Sequence, residues 1–263
     1  MSDRRQRQKE QRAAKREAER KQESRRALFR TIGTALVFGL AVIAIFAVGG
    51  IFGGEDASDV PASYQDFRDQ ETACGAEPPP PEESMSFEAP EEQSDITGER
   101  TVTATIETSC GPIVLELNPV AAPETVNSFV FLAREGFYDG MVIHRIVENY
   151  LFQTGDPAAN GTGGPGYVIA DEFPDDGFVY EEGVVAMANR GARSTGSQFF
   201  VITGDDGRFL TNSFNVLGTV TSGREAIDGI MAIDTAASPG TVEQSLPLET
   251  AYIESITIEV AGS

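Results

Sequence analysis

The longest uncharged stretch of the chain restricts its possible structure more than any other feature. Twenty-four consecutive residues, Thr31 to Gly54, carry no charge. A helix of this length, at about 1.5 Å rise per residue, exceeds the ~30 Å hydrocarbon thickness of a bilayer. A cleaved secretory signal is the alternative, although its apolar region spans only about 7–15 residues. The sequence therefore predicts an uncleaved transmembrane helix over 31–54.

Charge is divided unequally on the two sides of this stretch. Residues 1–30 hold 12 Lys/Arg and 5 Asp/Glu, whereas residues 31–263 hold 8 and 36. By the positive-inside rule, 1–30 is a predicted cytoplasmic segment at the plasma membrane, and the rest of the chain is exported. The acidic excess of the exported part excludes nucleic acid as its partner, because phosphates would be repelled.

Residues 55–100 form a predicted acidic, Pro-rich linker. They hold 14 Asp/Glu, two Arg and the run Pro78–Pro81. Few apolar residues and strong like charge do not support a packed core, and a proline run is extended. We expect a stalk that holds the following domain, residues 101–263, away from the membrane.

Both cysteines lie beyond the uncharged stretch, on the side where disulfides are stable. Cys74 and Cys110 allow one intrachain pairing, which would join the linker to the first hairpin of the domain. The chain-entropy estimate for such a loop is about 4 kcal/mol. Free or intermolecular thiols are the alternative.

The domain has the pattern of a mainly β structure. Apolar residues alternate with polar ones over 102–106 and 113–117, and again over 252–260. This period predicts strands, the first two of which form a hairpin. Helical spacing predicts one helix starting at Pro123, and a second after a capping box at Ser222. Short strands with two helices indicate an antiparallel barrel capped by helices.

Several kinds of catalytic site are excluded by the sequence. One His and two Cys are too few for a Cys/His zinc centre. Neither a phosphate-binding G-x-x-x-x-G-K-[ST] loop nor a G-x-S-x-G elbow occurs. We therefore expect no metal and no cofactor. The single histidine, His144, is interpreted as a hydrogen-bonded structural residue of a strand, and a Ser/His pair is the alternative.

Several segments in a fixed order resemble one known family. They are Pro123–Phe129, Gly136–Gly140, Ile143–Asp156, Met187–Gly191 and Gly196–Val201. Residues of about 101–260 thereby resemble cyclophilins, the barrel-type peptidyl-prolyl isomerases. The resemblance implies an eight-stranded antiparallel barrel capped by two α-helices, here preceded by the transmembrane helix and the stalk. It also implies cis-trans isomerisation of X–Pro bonds.

The same resemblance assigns roles to individual residues. Arg145 is the implied catalytic residue, and Gln153 orients its guanidinium group; a surface ion-pair residue is the alternative for Arg145. For Tyr150, Leu151 and Phe200, core packing is the competing interpretation. The implied substrate-binding positions are Tyr150, Leu151, Gly161, Ala188, Asn189, Gln198, Phe200, Phe209, Leu210 and Phe214.

Three positions depart from the usual family pattern. Phe209 stands where many members have a Trp that contacts cyclosporin, and Phe214 stands where many have His. Tyr150 replaces a usual Phe. We expect weak cyclosporin binding, with the type of reaction unchanged.

These observations predict a membrane-anchored isomerase that assists the folding of exported proteins. Its substrates would be X–Pro segments of unfolded or exported chains, and its domain is expected to be monomeric. The alternative is a non-catalytic peptide-binding or holdase module that uses the same groove. A third interpretation makes the domain a structural scaffold tethered by the stalk.

Overall fold

The computed structural model describes residues 63–81, 85–97 and 100–262. The predicted cytoplasmic segment 1–30 and the predicted transmembrane helix 31–54 lie outside these ranges. Within them, no helix has both the length and the apolar character needed to cross a bilayer.

Eight strands form one curled antiparallel sheet, as the mainly β prediction requires. The strands are β1 (Thr101–Thr108), β2 (Gly111–Leu117), β3 (Arg145–Val147), β4 (Leu151–Thr154), β5 (Val184–Met187), β6 (Phe199–Ile202), β7 (Val216–Ser222) and β10 (Ile253–Ala261). Their order in the sheet is β10-β1-β2-β7-β5-β6-β4-β3.

Backbone hydrogen bonds join the two edges of this sheet. The N–H of Ile143, just before β3, donates to the carbonyl of Ala251 at 2.8 Å. The N–H of Ile253, at the start of β10, donates to the carbonyl of Met141 at 2.8 Å. Backbone groups at the two edges are therefore hydrogen-bonded to residues at or beside the named strands. This limits the pairing of these edges with strands of other chains.

Strand alternation directs one face of the sheet into the main core. Val102, Ala104 and Ile106 of β1 are buried, and they face Leu117, Leu115 and Ile113 of β2 in register. The predicted first hairpin is thus confirmed. Helix packing completes this core, since Val126, Phe129 and Val130 are fully buried against it.

Two helices lie where the spacing predicts them. The first is α2 (Pro123–Arg134), with Pro123 in its first turn. A residue far along the chain caps its N-terminus, because the Glu172 carboxylate accepts hydrogen bonds from the backbone N–H groups of Glu124 and Thr125. The second is α3 (Arg224–Met231). The predicted capping box at Ser222 is wrong, because the N-cap residue is Gly223, which has no side chain to cap the helix.

The described part of the predicted stalk packs against the domain, which is a correction to the sequence prediction. It contains a short helix, α1 (Tyr64–Asp69), whose Ser63 caps its N-terminus. Phe67 is completely buried, and Tyr64 packs with it against Val142, Leu246 and Tyr252. A few well-spaced aromatic side chains are enough to dock an otherwise acidic segment. We call residues 63–81 and 85–97 the N-terminal segment.

A disulfide fixes this segment to the first hairpin. The sulfur atoms of Cys74 and Cys110 are 1.99 Å apart, and the two residues are separated by 36 positions. Cys110 lies in the turn between β1 and β2, so the structure adopts the intrachain pairing rather than free thiols. Beside the bridge, the N–H of Ala73 donates to the carbonyl of Thr250 at 2.9 Å.

A second, two-stranded sheet was not predicted from the sequence. It consists of β8 (Thr235–Ala237) and β9 (Gln244–Pro247), which pair in antiparallel fashion. Strand β9 lies beside β3. The amide of Gln70 in the N-terminal segment donates to the carbonyl of Pro247 at 3.0 Å. The hairpin is therefore supported by the segment that was expected to be a stalk.

Candidate active site

A single row of residues crosses the outer face of the curled sheet. Arg145 of β3 is paired with Gln153 of β4, and Gln153 is paired with Phe200 of β6. Phe200 is paired in turn with Ala186 of β5, and Ala186 with Val216 of β7. Directly opposed residues have Cβ atoms about 4.5–5.5 Å apart. The register therefore places a cation, an amide and an aromatic ring side by side.

Alternation along the same strands separates this site from the main core. Phe199 and Val201 point into the main core. Phe200 and Ile202 belong to a second apolar cluster on the outer face, which we call the outer cluster. On β4, Phe152 packs in the core and Leu151 packs in the outer cluster. The predicted pocket residues and the core residues thus occupy opposite faces of the same strands.

A chain of amide hydrogen bonds extends from the arginine. Nη1 of Arg145 donates to Oε1 of Gln153 at 3.3 Å, and Nε2 of Gln153 donates to Oε1 of Gln198 at 2.9 Å. Gln198 donates onward to the carbonyl of Gly163 at 2.9 Å. Because each amide is held at both ends, Gln153 presents its oxygen to the guanidinium group. This geometry fits the predicted orienting role of Gln153.

Aromatic rings form the apolar part of the site. The rings of Phe200 and Phe214 meet edge to face, with centroids 5.4 Å apart and planes at 87°. Tyr150, Leu151 and Phe200 are buried in the outer cluster, and Leu210 and Phe214 pack against them while partly exposed. Burial raises the pKa of Tyr150 to about 12, although the charge of Arg145 acts to lower it. Tyr150 is therefore a neutral member of the pocket wall.

Sequence analysis missed Tyr180, which supports this pocket from behind. It is completely buried, and its hydroxyl donates to the carbonyl of Phe214 at 2.8 Å. Its ring packs edge to face against that of Phe178, 5.1 Å away. Tyr180 lies outside the named strands, in a region without periodic apolar residues, so no sequence pattern indicates its burial.

The remaining predicted positions lie around the cluster. Asn189 donates from Nδ2 to the carbonyl of Ser213 at 2.7 Å, which fixes its amide. The N–H of Ala188 donates to the carbonyl of Gln198 at 2.8 Å. Gly161 has φ +84° and open space where a side chain would stand. Phe209 differs from the other predicted pocket residues, because it is 82% exposed at the end of a 3-10 turn.

A carboxylate that sequence analysis missed completes the surroundings of the arginine. Nε of Arg145 donates to Oε2 of Glu243 at 2.9 Å, and Nη2 donates to Oε1 at 2.8 Å. Glu243 comes 98 positions later in the chain, immediately before β9. No local motif links residues at such a separation, and only the fold brings them together.

His144 is buried beside the site, but the prediction that its ring is hydrogen-bonded is wrong. Neither ring nitrogen has a hydrogen-bond partner among the described residues. Burial lowers the pKa of His144 to about 4; the charge of Arg145 acts in the same direction, and that of Asp156 opposes it. A buried imidazole without partners is most stable in its neutral form. His144 is therefore an uncharged packing residue near neutral pH.

Protonation of His144 should make the folded state less stable in acid. The unfolded chain takes up this proton near pH 6.5, whereas the folded chain takes it up only near pH 4. The stability that neutral His144 contributes is therefore complete above pH 6.5 and is lost as the pH falls from 6.5 to about 4. The contribution of this residue is about 3 kcal/mol. Urea unfolding at pH 7, 5.5 and 4 measures the decline, and His144→Phe should reduce its slope. Because the chain has one His, an NMR titration of its ring with a midpoint near 6.5 would contradict this expectation.

Comparison with solved structures agrees with the fold. A cyclophilin-type peptidyl-prolyl cis-trans isomerase of Cryptosporidium parvum, crystallised in the presence of the dipeptide Ala-Pro, superimposes with a TM-score of 0.53. The match covers 60% of this chain and 98% of the other, at 23% identity. This likeness establishes that both chains share the curled antiparallel sheet.

Comparison of sequences finds relatives with higher identity than the solved structure. The profile of the family described as "Cyclophilin type peptidyl-prolyl cis-trans isomerase/CLD" matches residues 103–258. Peptidyl-prolyl cis-trans isomerase B of Streptomyces anulatus is 40% identical over 174 residues, which cover 59% of this chain and 95% of the relative. The enzyme of the same name from Bacillus subtilis is 44% identical over 113 residues, which cover 43% of this chain and 78% of the relative. Because the profile covers more than half of the chain and the relatives are isomerases, the chain belongs to the cyclophilin-type peptidyl-prolyl cis-trans isomerases.

Proposed function

We propose that Arg145 catalyses X–Pro isomerisation by stabilising the twisted amide, while the outer cluster holds the proline ring. The observation that carries this proposal is the row Arg145–Gln153–Phe200, in which strand register sets a guanidinium group next to an apolar pocket. The guanidinium group remains reachable, because the Arg145 side chain is 22% exposed. The decisive experiment compares the isomerase activity of the wild type and Arg145→Ala.

The chemistry of the reaction explains why an arginine suffices. Conjugation of the C–N bond sets a rotation barrier of ~18–20 kcal/mol. In the twisted state conjugation is lost and the nitrogen lone pair becomes available to a hydrogen-bond donor. Arginine is such a donor at every working pH, since it stays protonated. A donor that meets the nitrogen only in the twisted state binds the transition state selectively and lowers the barrier. No bond is broken, so no nucleophile or metal is required.

Neighbouring residues divide the remaining tasks. The amides of Gln153 and Gln198 hold the guanidinium group on the side of the pocket. Phe200, Phe214 and Leu210 offer an apolar surface for the five-membered ring. Asn189, with its amide fixed by Ser213, lies where it would contact the substrate backbone beside the proline. Together they restrict the substrate to the geometry in which its nitrogen faces Arg145.

We further propose that the enzyme acts on exposed X–Pro segments of exported proteins, with residues 31–54 as a single membrane anchor. Two observations support this location. Twelve Lys/Arg precede the uncharged stretch and favour a cytoplasmic N-terminus. The Cys74–Cys110 disulfide requires an oxidising compartment, which the outer side of a plasma membrane provides.

This topology predicts a specific pattern of protection in cells. Protease added to intact cells or spheroplasts should cut the domain at residues 101–263 while leaving an epitope at residues 1–30 intact. Membrane lysis should expose both. Equal resistance of the domain and the N-terminal epitope in intact cells would contradict the proposed orientation. Release of the full domain without protease would favour a cleaved signal peptide.

We also propose that cyclosporin binds this protein weakly. Phe209 cannot supply the indole N–H of the Trp that many family members carry at this position. Phe209→Trp should lower the inhibitory concentration of cyclosporin by about tenfold, the equivalent of one hydrogen bond of ~1.4 kcal/mol. Inhibition of isomerase activity by titrated drug measures the effect. Equal potency for the wild type and Phe209→Trp would contradict the expectation.

A further inference from the structure

The second partner of Arg145 is a carboxylate that belongs to the unpredicted hairpin. Glu243 binds the guanidinium group through two parallel hydrogen bonds, at 2.9 Å from Nε and 2.8 Å from Nη2. Such bidentate pairs fix the plane of the arginine as well as its position. The side chain of Glu243 is 39% exposed, so this pair lies at the border of the site rather than inside the core.

The hairpin holds the backbone of Glu243 firmly. The N–H of Glu243 donates to Oγ1 of Thr241 at 3.2 Å, and its carbonyl accepts from the N–H of Ser238 at 2.9 Å. The hydroxyl groups of Ser238 and the buried Ser245 lie 2.7 Å apart across the same turn. The carboxylate therefore extends toward Arg145 from a backbone with several fixed contacts.

The carboxylate stays charged in this position. Burial acts to raise the pKa of Glu243, but the hydrogen bonds and charge of Arg145, with a hydrogen bond from Ser245, outweigh it. The pKa of Glu243 consequently lies below its ordinary value. The ion pair is complete at neutral pH.

The pair with Glu243 leaves donors for a substrate. A guanidinium group carries five N–H bonds. Glu243 takes the one on Nε and one on Nη2, and Gln153 takes one on Nη1. Counting the contacts of the described residues, one N–H on each terminal nitrogen remains. The carboxylate therefore orients the arginine without using up its capacity to donate to a twisted amide.

We propose that Glu243 is a positioning residue, which holds the guanidinium plane of Arg145 so that its remaining N–H bonds face the proline pocket. This inference rests on the proposed catalytic role of Arg145. Arginine side chains have many rotamers, and a fixed partner removes that freedom before the substrate arrives. Since Glu243 acts only through Arg145, its loss should slow the turnover of bound substrate and leave substrate binding in the apolar pocket intact.

The experiment measures kcat and KM separately for the full chain with an Ala-Pro-containing peptide. Glu243→Ala should lower kcat by roughly tenfold to 100-fold, in the range expected for a misplaced catalytic group, with KM changed by less than about twofold. Glu243→Gln retains one acceptor oxygen and should fall between the wild type and Glu243→Ala. In ¹⁵N spectra, the Nε–H of Arg145 should exchange with water faster in Glu243→Ala than in the wild type.

Matched variants separate this inference from its alternatives. Glu249→Gln removes an exposed negative charge from the connection after β9 and should leave kcat unchanged. An increase of kcat/KM in Glu243→Ala would overturn the inference, because the carboxylate would then compete with substrate for Arg145. Unchanged kcat in a folded Glu243→Ala protein would overturn it as well. If Arg145→Ala itself keeps wild-type activity, the proposed role of the arginine fails, whatever Glu243 does.

Discussion

Arg145→Ala is expected to lower kcat by about 100-fold to 1,000-fold, the range seen when one donor to a developing transition-state charge is removed. The physical reason is that no other described cation is held by Gln153 in the row that leads to Phe200. KM should change little, because the ring of the bound proline is held by apolar contacts. Isomerisation of an Ala-Pro peptide, followed by NMR exchange or a coupled assay, measures both constants.

A second arginine provides the matched control for this experiment. Arg224 pairs with Glu182 and Asp228, and its side chain is 67% exposed on α3. Arg224→Ala therefore removes a paired guanidinium group away from the row and should keep wild-type kcat. Circular dichroism should show that both variants fold. A folded Arg145→Ala protein with wild-type kcat would refute the proposed mechanism.

Phe67→Ala is expected to lower the free energy of unfolding by about 3–5 kcal/mol, the usual cost of deleting a large aromatic side chain from a core. Phe67 belongs to the N-terminal segment and is completely buried against the domain. If this segment were a solvated stalk, the same substitution would change stability very little. Urea or thermal unfolding of residues 59–263 under non-reducing conditions measures the difference.

Phe209→Ala is the control for that measurement. It removes the same side chain from a position that is 82% exposed, where substitutions usually shift stability by less than about 0.5 kcal/mol. A chain that begins at Arg100 should be less stable than residues 59–263, because it lacks Phe67 and the disulfide. Equal stability for these two chains would show that the N-terminal segment does not support the domain.

The parts of the fold that follow local patterns were predictable from the sequence. Alternation over 102–106 and 113–117 is sufficient to identify the first hairpin, since each strand buries one face. Spacing around Val126 and Phe129 identifies α2, and Pro123 marks its start. In the site, the arginine and its amide partner are eight positions apart on adjacent strands, so a short motif contains both.

The features that could not be predicted depend on contacts between distant residues. Glu243 gives no local signal, because its partner lies 98 positions earlier. The acidic average composition of the N-terminal segment gives no sign that it docks, because its docking depends on the single side chains of Tyr64, Phe67 and Ile96. The environment of His144 could not be predicted either, because a position beside a strand indicates burial but does not show whether the ring nitrogens find partners.

The disulfide between the N-terminal segment and the first hairpin has a practical consequence for handling the enzyme. Expression in a reducing cytosol, or dithiothreitol in the buffer, would open the link between Cys74 and Cys110. The loosened segment includes Gln70, which contacts the hairpin that carries Glu243. Preparations made with and without reductant should therefore be regarded as two different samples, and rate constants from one should not be transferred to the other.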